Sequence, residues 1–268
     1  MQPVYRTLEI LAKTLVKITD TQITYTGLEH IPRSGGAVVT INHTSYVDFL
    51  PAGLAVVRSG RRMRYMAKIE MQDVGILRFL MKHTGTIPVD RTAGADAYQH
   101  AVAALRAGEV VGVYPESTIS RTFELRALKT GAARMARDAQ VPIVPLIVWG
   151  AHRIWTKDHP KSLGRNHIPV TVAVGAPLAP DDDLEKLEAA LQTRMTELLH
   201  RVQEEYPHPP GAYWVPRRLG GGAPTAEEAL ARREAELAER ARQRAGRAAA
   251  PEKRPGWRRA LARLRRRR

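Results

Sequence analysis

Short apolar runs alternate with segments of helical periodicity along most of the chain. Runs rich in β-branched residues predict strands, and they lie at 23–25, 37–41, 63–67, 86–89, 110–114, 141–148 and 168–174. Apolar residues at helical spacing predict helices, at 49–57, 73–82, 93–107, 128–139 and 180–205. Alternating strands and helices are typical of α/β folds. We therefore predict a mixed, largely parallel sheet flanked by helices, to which antiparallel strands can be added.

The first twenty residues predict an amphipathic helix. Five apolar residues recur there at helical spacing: Val4, Leu8, Leu11, Leu15 and Ile18. Three basic residues lie elsewhere on the helix, namely Arg6, Lys13 and Lys17. Such a helix can lie in a membrane interface, with its cations on anionic headgroups. It can equally pack on the core as an ordinary surface helix.

The C-terminal part of the chain differs from the rest in composition. Residues 216–268 contain 17 Lys and Arg against 6 Asp and Glu. Residues 225–247 favour a helix but lack an apolar stripe, so we expect them to be solvated. Near the end, Trp257, Leu261 and Leu264 share one face of a basic helical segment, which is typical of a membrane or nucleic-acid contact. We predict an N-terminal helix at 1–20, one domain at 21–206 and a basic, largely solvated tail at 207–268.

Overall composition narrows the possible partners and sites. The chain has no cysteine, which excludes disulfides, zinc thiolates and thiol nucleophiles. Its formal net charge of +15 calls for an anionic partner. The N-terminus lacks the pattern of a signal peptide, and the apolar runs are shorter than the roughly 18 residues that a membrane span needs. We therefore expect a peripheral protein on the cytoplasmic face of the cell membrane.

The most informative motif follows the apolar run at 37–41. His43 stands there with Asp48 five residues later, at a strand end where sites form in α/β sheets. Asp48 can accept one ring N–H of His43 and leave the other nitrogen to take a proton from a hydroxyl. This is the logic of a catalytic triad in which the substrate supplies the hydroxyl. Taken alone, the same two residues also fit a capping aspartate and a buried structural histidine.

Polar residues follow two further strands. Arg91 ends the run 85–91 and can clamp a phosphate in a bidentate manner, or it can simply pair with Asp90. Glu116 lies in a polar segment after the strand at 110–114 and needs a cation, backbone N–H groups or a substrate hydroxyl if it is buried. Lys129 precedes a helix that begins with small residues, which is a possible anion site.

The order of these motifs resembles the glycerolipid acyltransferase family, which includes the 1-acylglycerol-3-phosphate acyltransferases. The family has a block in which Asn-His is followed, after four intervening residues, by Asp. It also has a Gly-containing block that ends in Arg, a Pro-Glu-Gly-Thr-Arg block and a Val-Pro-x-x-Pro block. The corresponding segments here are 42–48, 85–91, 115–121 and 141–145. The resemblance covers about residues 23–174, and it implies the fold of the glycerol-3-phosphate acyltransferase group.

This resemblance implies a reaction and roles for the residues. His43 would deprotonate the acceptor hydroxyl, Asp48 would orient His43, and the hydroxyl oxygen would attack an acyl thioester of coenzyme A or acyl carrier protein. Arg91 and Lys129 would hold the phosphate of a lysophospholipid, and Glu116 would order that pocket. No metal or organic cofactor is implied. The implied partners are the lysophospholipid, the acyl-CoA or acyl carrier protein, and an anionic membrane surface.

The third block departs from the family pattern. Ser117 stands where the family has Gly, and Ile119 stands where it has Arg. We expect Ser117 and Thr118 to line the substrate site and Arg121 to supply the missing cation. Lysophosphatidic acid is the leading acceptor, and another lysolipid, a glycolipid or a lipid-linked sugar is the alternative.

Two hypotheses of other classes compete with the acyltransferase. A pI near 10.5 and the arginine-rich tail fit a nucleic-acid-binding protein. However, the charge is concentrated outside the predicted domain, and an aromatic content of 6% provides few stacking platforms. A metal-dependent hydrolase built on His43, Asp48 and Glu116 lacks a further cluster of ligands in the sequence.

Overall fold

A computed structural model describes residues 3–90, 94–165 and 167–249. Its α-helices within these ranges are α1 (Pro3–Ile18), α2 (Phe49–Arg58), α3 (Gly75–Thr84), α4 (Ala95–Arg106), α5 (Gly131–Ala139), α6 (Leu184–Glu205) and α7 (Ala226–Ala249). Its strands are β1 (Gln22–Thr26), β2 (Ala37–Ile41), β3 (Met63–Lys68), β4 (Ile87–Val89), β5 (Val110–Val113), β6 (Ile143–Trp149) and β7 (Pro169–Val174). The predicted elements are present with shifted ends. For example, α6 begins after Asp183, whose carboxylate caps the helix by accepting from the Lys186 N–H.

The strands form one sheet in the order β1-β7-β6-β2-β5-β3-β4. All neighbouring pairs are parallel except β6 and β7, which are antiparallel. The prediction of a mixed, largely parallel sheet is therefore confirmed. β2 lies between β5 and β6 and runs parallel to both, so the carboxyl ends of these three strands meet at one edge of the sheet.

Apolar residues cover both faces of the sheet, as expected for parallel strands. Every residue of β2 and of β6 is buried. Side chains alternate between two cores, and Val38 enters the core beneath α4, α5 and α6 whereas Val39 enters the core beneath α2. Continuous apolar runs in the sequence thus reflect strands that are covered on both sides.

The compact unit extends beyond the predicted boundary at residue 206. It runs to Ala223, because Trp214 and Val215 are buried in the core beneath α6. Tyr206 also ties this region to the sheet, since its hydroxyl donates to the Pro169 carbonyl at 2.7 Å. The predicted tail therefore began 17 residues too early, because the core residues Trp214, Val215 and Ala223 lie in a segment rich in proline and glycine.

A second unit begins at Pro224 and contains α7. A capping box starts this helix: Glu228 N–H donates to the Thr225 hydroxyl, and Thr225 N–H donates to the Glu228 carboxylate. Its surface has ion pairs one turn apart, such as Arg240 with Glu236. The basic segment at 257–264 lies outside the described residues.

α1 packs against other elements of the first unit. The Tyr5 hydroxyl accepts a hydrogen bond from Met63 N–H in β3 at 3.3 Å, and α1 contacts α2 and α3. Four apolar residues of α1 remain exposed: Ile10, Leu11, Leu15 and Ile18. No helix in the described part of the chain is long and apolar enough to span a membrane.

Candidate functional site

The candidate site begins where β2 ends. Asn42 is buried there, and its side chain forms two hydrogen bonds with the backbone of Val148 in β6. Its amide donates to the Val148 carbonyl at 3.1 Å, and its oxygen accepts from Val148 N–H at 2.7 Å. This pair replaces the next rung of the ladder between the two strands. The backbone that leads into His43 is therefore fixed relative to the sheet.

Asp48 organises the loop that follows. One carboxylate oxygen, Oδ2, accepts from His43 Nδ1 at 3.2 Å, Thr44 N–H at 2.9 Å and Ser45 N–H at 2.7 Å. The side chain is fully buried. Burial raises the pKa of the Asp48 carboxyl, and the bond from His43 and the two backbone N–H groups act in the opposite direction.

The same contact sets the protonation of the imidazole. A bond to a carboxylate oxygen requires that Nδ1 carry the proton, so Nε2 keeps its lone pair. The His43 ring packs on Tyr114 with a centroid distance of 4.4 Å, and its side chain is 22% exposed. A substrate can therefore reach the ring, whereas solvent cannot reach Asp48.

Glu116 binds the backbone of His43. It is buried, and its Oε1 accepts from His43 N–H at 2.7 Å while its Oε2 accepts from Arg126 N–H at 3.1 Å. Ser120 N–H donates to the His43 carbonyl at 2.8 Å. The loop after β5 therefore binds both peptide groups of His43. Burial raises the pKa of Glu116 to about 8, although the two N–H donors oppose the shift.

Ser117 and Thr118 lie in the same loop. Ser117 is exposed and has a φ of 62°, a left-handed conformation that glycine adopts without strain. This explains why a glycine suits the position and why the serine here adopts a less favourable backbone. Ile119 is buried, so this position presents no charged group at the surface of the loop.

The three basic residues predicted for the site have different surroundings. Arg121 donates from Nε to Asp158 at 2.6 Å, and its side chain is only 8% exposed. Lys129 is exposed, two residues before α5, and its backbone N–H donates to the Pro115 carbonyl at 3.0 Å. Arg91 lies outside the described residues.

A turn after β6, residues 150–157, supports the His43 loop and has no motif that predicted it. Its Trp155 carbonyl accepts from Tyr46 N–H at 3.0 Å and from the Ser45 hydroxyl at 2.7 Å. The buried Thr156 hydroxyl donates to the Thr44 carbonyl at 2.7 Å. In the sequence, Gly150 marks the start of this turn. The structure shows why a glycine is needed there, since its φ is 97° and a Cβ would lie 2.3 Å from the Pro169 carbonyl oxygen.

Lys157 is the last residue of this turn and lies at the edge of the candidate site. Its Nζ donates to the Thr118 hydroxyl at 3.3 Å. It is half-buried, and the sequence predicted no role for it. The structure thus brings a further cation to the loop that contacts His43.

An apolar cavity of about 230 Å³ lies beside the helix that Asp48 begins. Val47, Leu50 and Pro51 line it from the His43 loop and α2. The remaining lining comes from the end of α1, from β1 and β7, and from residues 151–168. Within the described ranges, no group of three or more His, Cys, Asp or Glu side chains is arranged to hold a metal ion.

Comparisons with known proteins show which proteins this chain resembles. The family model described as Acyltransferase matches residues 22–149. A 1-acyl-sn-glycerol-3-phosphate acyltransferase of Bacillus subtilis (strain 168) is 28% identical over 180 residues, which are 66% of this chain and 87% of the relative. The alpha form from Homo sapiens is 34% identical over 126 residues, 46% of this chain and 44% of the relative. This chain thus matches less than half of the human relative's length.

A solved structure supports the fold. The 1-acyl-sn-glycerophosphate (LPA) acyltransferase PlsC from Thermotoga maritima superposes with a TM-score of 0.60 at 17% identity, and the match covers 78% of this chain and 86% of that one. At this identity the likeness concerns the fold alone.

The raised pKa of Glu116 leads to a prediction about stability. The folded protein holds a proton on Glu116 up to about pH 8, whereas the ordinary pKa of this carboxyl is 4.5. Between these values the folded state binds more protons, so this group makes the free energy of unfolding fall as pH rises. Glu116→Gln cannot titrate. The unfolding free energy of the wild type minus that of Glu116→Gln should therefore decrease from pH 4.5 to pH 8 in urea denaturation.

The exposed Glu205 provides a matched control, because Glu205→Gln makes the same chemical change on the surface of α6. The unfolding free energy of the wild type minus that of Glu205→Gln should vary much less with pH. If the unfolding free energy of the wild type minus that of Glu116→Gln stays constant or grows with pH, the raised pKa of this buried carboxyl is contradicted.

Proposed function

We infer that this chain belongs to the glycerolipid acyltransferase family and is an O-acyltransferase, and on that premise we propose its substrates and mechanism. It transfers a fatty acyl group from the thioester of coenzyme A or acyl carrier protein to the free hydroxyl of 1-acylglycerol-3-phosphate, and the product is phosphatidic acid. The curated relatives named above support this acceptor. The observation that carries the mechanism is a reachable His43 ring whose Nδ1 faces a fully buried Asp48.

His43 acts as the general base in this proposal. Nε2 takes the proton of the acceptor hydroxyl as its oxygen attacks the thioester carbonyl. The tetrahedral intermediate expels the thiolate, and the protonated imidazole returns its proton to the sulfur. Asp48 stabilises the transient imidazolium by its charge and keeps the ring in one orientation. The substrate hydroxyl thus takes the place of a serine nucleophile, and no acyl-enzyme forms.

The hydrogen bonds of the loop restrict where the oxyanion can be stabilised. The N–H groups of His43, Thr44 and Ser45 are bound to side-chain oxygens of Glu116 and Asp48. An N–H group that already donates to one of these oxygens cannot stabilise a developing anion without weakening that hydrogen bond. The oxyanion donors therefore come from outside residues 43–45.

Cations hold the phosphate of the acceptor in this proposal. Arg91 and Lys129 keep the roles that the family resemblance implies, and the hydroxyls of Ser117 and Thr118 provide further donors. Arg121 is less suited to binding the phosphate, because Asp158 already compensates its charge. Glu116 serves by ordering the loop and does not contact the substrate.

The apolar cavity beside α2 is our proposed site for the acyl chain. Its lining is almost entirely apolar, and Val47 and Leu50 place it next to the His43–Asp48 loop. Buried apolar pockets with a few polar groups at the mouth are typical of lipid-like ligands. The carbonyl end of the acyl chain would then reach His43 from the side of α2.

A test of the reaction measures thiol release from palmitoyl-coenzyme A, or from palmitoyl acyl carrier protein, with and without 1-acylglycerol-3-phosphate. Release should depend on the acceptor. His43→Ala should lower the rate by roughly 10²–10⁴-fold because the general base is lost. Asp48→Asn should also lower it, because an amide does not hold the Nδ1–H tautomer.

The exposed His100 in α4 is the control, and His100→Ala should keep the wild-type rate. Turnover at the wild-type rate by a folded His43→Ala variant would exclude the proposed base. An absence of acceptor-dependent release with both donors would instead exclude the proposed substrates.

We also propose that the protein acts from an anionic membrane surface, on the cytoplasmic face. Exposed apolar residues of α1 lie on a helix that contacts α3, where Ile76 and Phe79 are exposed as well. Basic residues accompany them, including Lys13 and Lys17 on α1. Apolar insertion together with cations is the usual pattern of interfacial helices.

The membrane proposal predicts a defect in vesicle binding. Replacing Leu11 and Phe79 together by glutamate should lower co-sedimentation with phosphatidylglycerol vesicles several-fold, since both side chains are about half exposed or more. Activity on detergent-dispersed substrate should persist. Leu230→Glu changes an equally exposed leucine of α7 and is the control. Unchanged sedimentation of the double variant would contradict the proposed surface.

A further inference from the structure

We propose that Lys157 binds the phosphate of the acceptor and thereby determines the preference for a phosphorylated lysolipid. The inference rests on the proposed function and adds a residue that neither motif nor resemblance indicates. The geometry that carries it is the approach of the Lys157 ammonium to Thr118, in the loop that clasps His43.

The first step concerns position. Thr118 lies two residues after Glu116 and two before Ser120, and these two residues bind the N–H and the carbonyl of His43. Lys157 Nζ is 3.3 Å from the Thr118 hydroxyl. A phosphate that bridges the ammonium and this hydroxyl would therefore lie beside the loop that positions the base.

The second step concerns rigidity. Thr156, the residue before Lys157, is buried and donates to the Thr44 carbonyl. Trp155 accepts hydrogen bonds from Ser45 and Tyr46. The backbone that carries Lys157 is thus joined to the His43 loop, so a phosphate held there has a defined distance to the base.

The third step concerns the other side chains of the 116–121 loop. Ile119 is buried and apolar, so that position offers no charge to a ligand. Arg121 is almost fully buried and is bound to Asp158. Lys157 is half-buried, and its flexible stem ends in an ammonium with three donors. An ammonium beside the hydroxyl of Thr118 has the chemistry of a phosphate site.

Steady-state kinetics with two acceptors test this assignment. Lys157→Met should raise the KM for 1-acylglycerol-3-phosphate by roughly tenfold, as expected for one lost charge-assisted hydrogen bond, with kcat little changed. Its rate with monoacylglycerol, which lacks the phosphate, should equal that of the wild type. Lys157→Arg should recover most of the affinity. A merely structural role would instead lower kcat with both acceptors.

Lys161 provides the matched control in the same segment, since its Nζ lies 4.0 Å from the centre of the Trp155 ring. Lys161→Met should leave both KM values unchanged. A second readout uses the His43→Ala background, where binding of 1-acylglycerol-3-phosphate by calorimetry should weaken when Lys157→Met is added.

The outcomes separate this inference from the proposed function. Normal acceptor-dependent transfer with equal KM values for Lys157→Met and Lys161→Met would overturn the role of Lys157 alone. A loss of rate that is the same with and without the acceptor phosphate would overturn it as well. An absence of transfer by the wild type with every donor and acceptor would overturn the proposed function and this inference together.

Discussion

One buried carboxylate oxygen determines the geometry of the whole site. Asp48 Oδ2 accepts from the His43 ring and from the N–H groups of Thr44 and Ser45, so the loop curls around it and α2 begins directly afterwards. Removing this oxygen would leave two backbone donors unsatisfied in a region that solvent does not reach. The same oxygen that folds the loop also sets the tautomer of the imidazole. Folding and chemistry therefore depend on a single acceptor.

The topology explains why three separate segments support this loop. β6, β2 and β5 are adjacent and parallel, so residues after each carboxyl end meet. The loop after β5 provides Glu116 for the His43 backbone, and the turn after β6 provides Trp155 and Thr156 for residues 44–46. Both of these segments bond mainly to backbone groups of the loop. They therefore fix the position of the His43 ring and leave its Nε2 available to the substrate.

Sequence reasoning predicted the parts of the molecule that local patterns specify. The strands, the helices and the pairing of His43 with Asp48 follow from periodicity and from a five-residue spacing. Thr156 and Lys157 could not be predicted, because their partners lie 112 and 39 residues away in the chain and no local pattern reports such contacts. The same reason explains the boundary at Ala223, where Trp214 is buried in a core built by distant strands. Arg121 could be identified as a cation, but not its pairing with Asp158.

The central claim is that Asp48 holds a proton on Nδ1 of His43 and leaves Nε2 as the base. Long-range ¹H–¹⁵N correlation spectra of histidine-labelled protein, recorded where the imidazole is neutral, measure this tautomer directly. The signals of His43 are those that disappear in the His43→Gln variant. The account predicts a protonated Nδ1 and an unprotonated Nε2. A ring protonated on Nε2 would contradict it, because the nitrogen assigned as the base would already carry a proton.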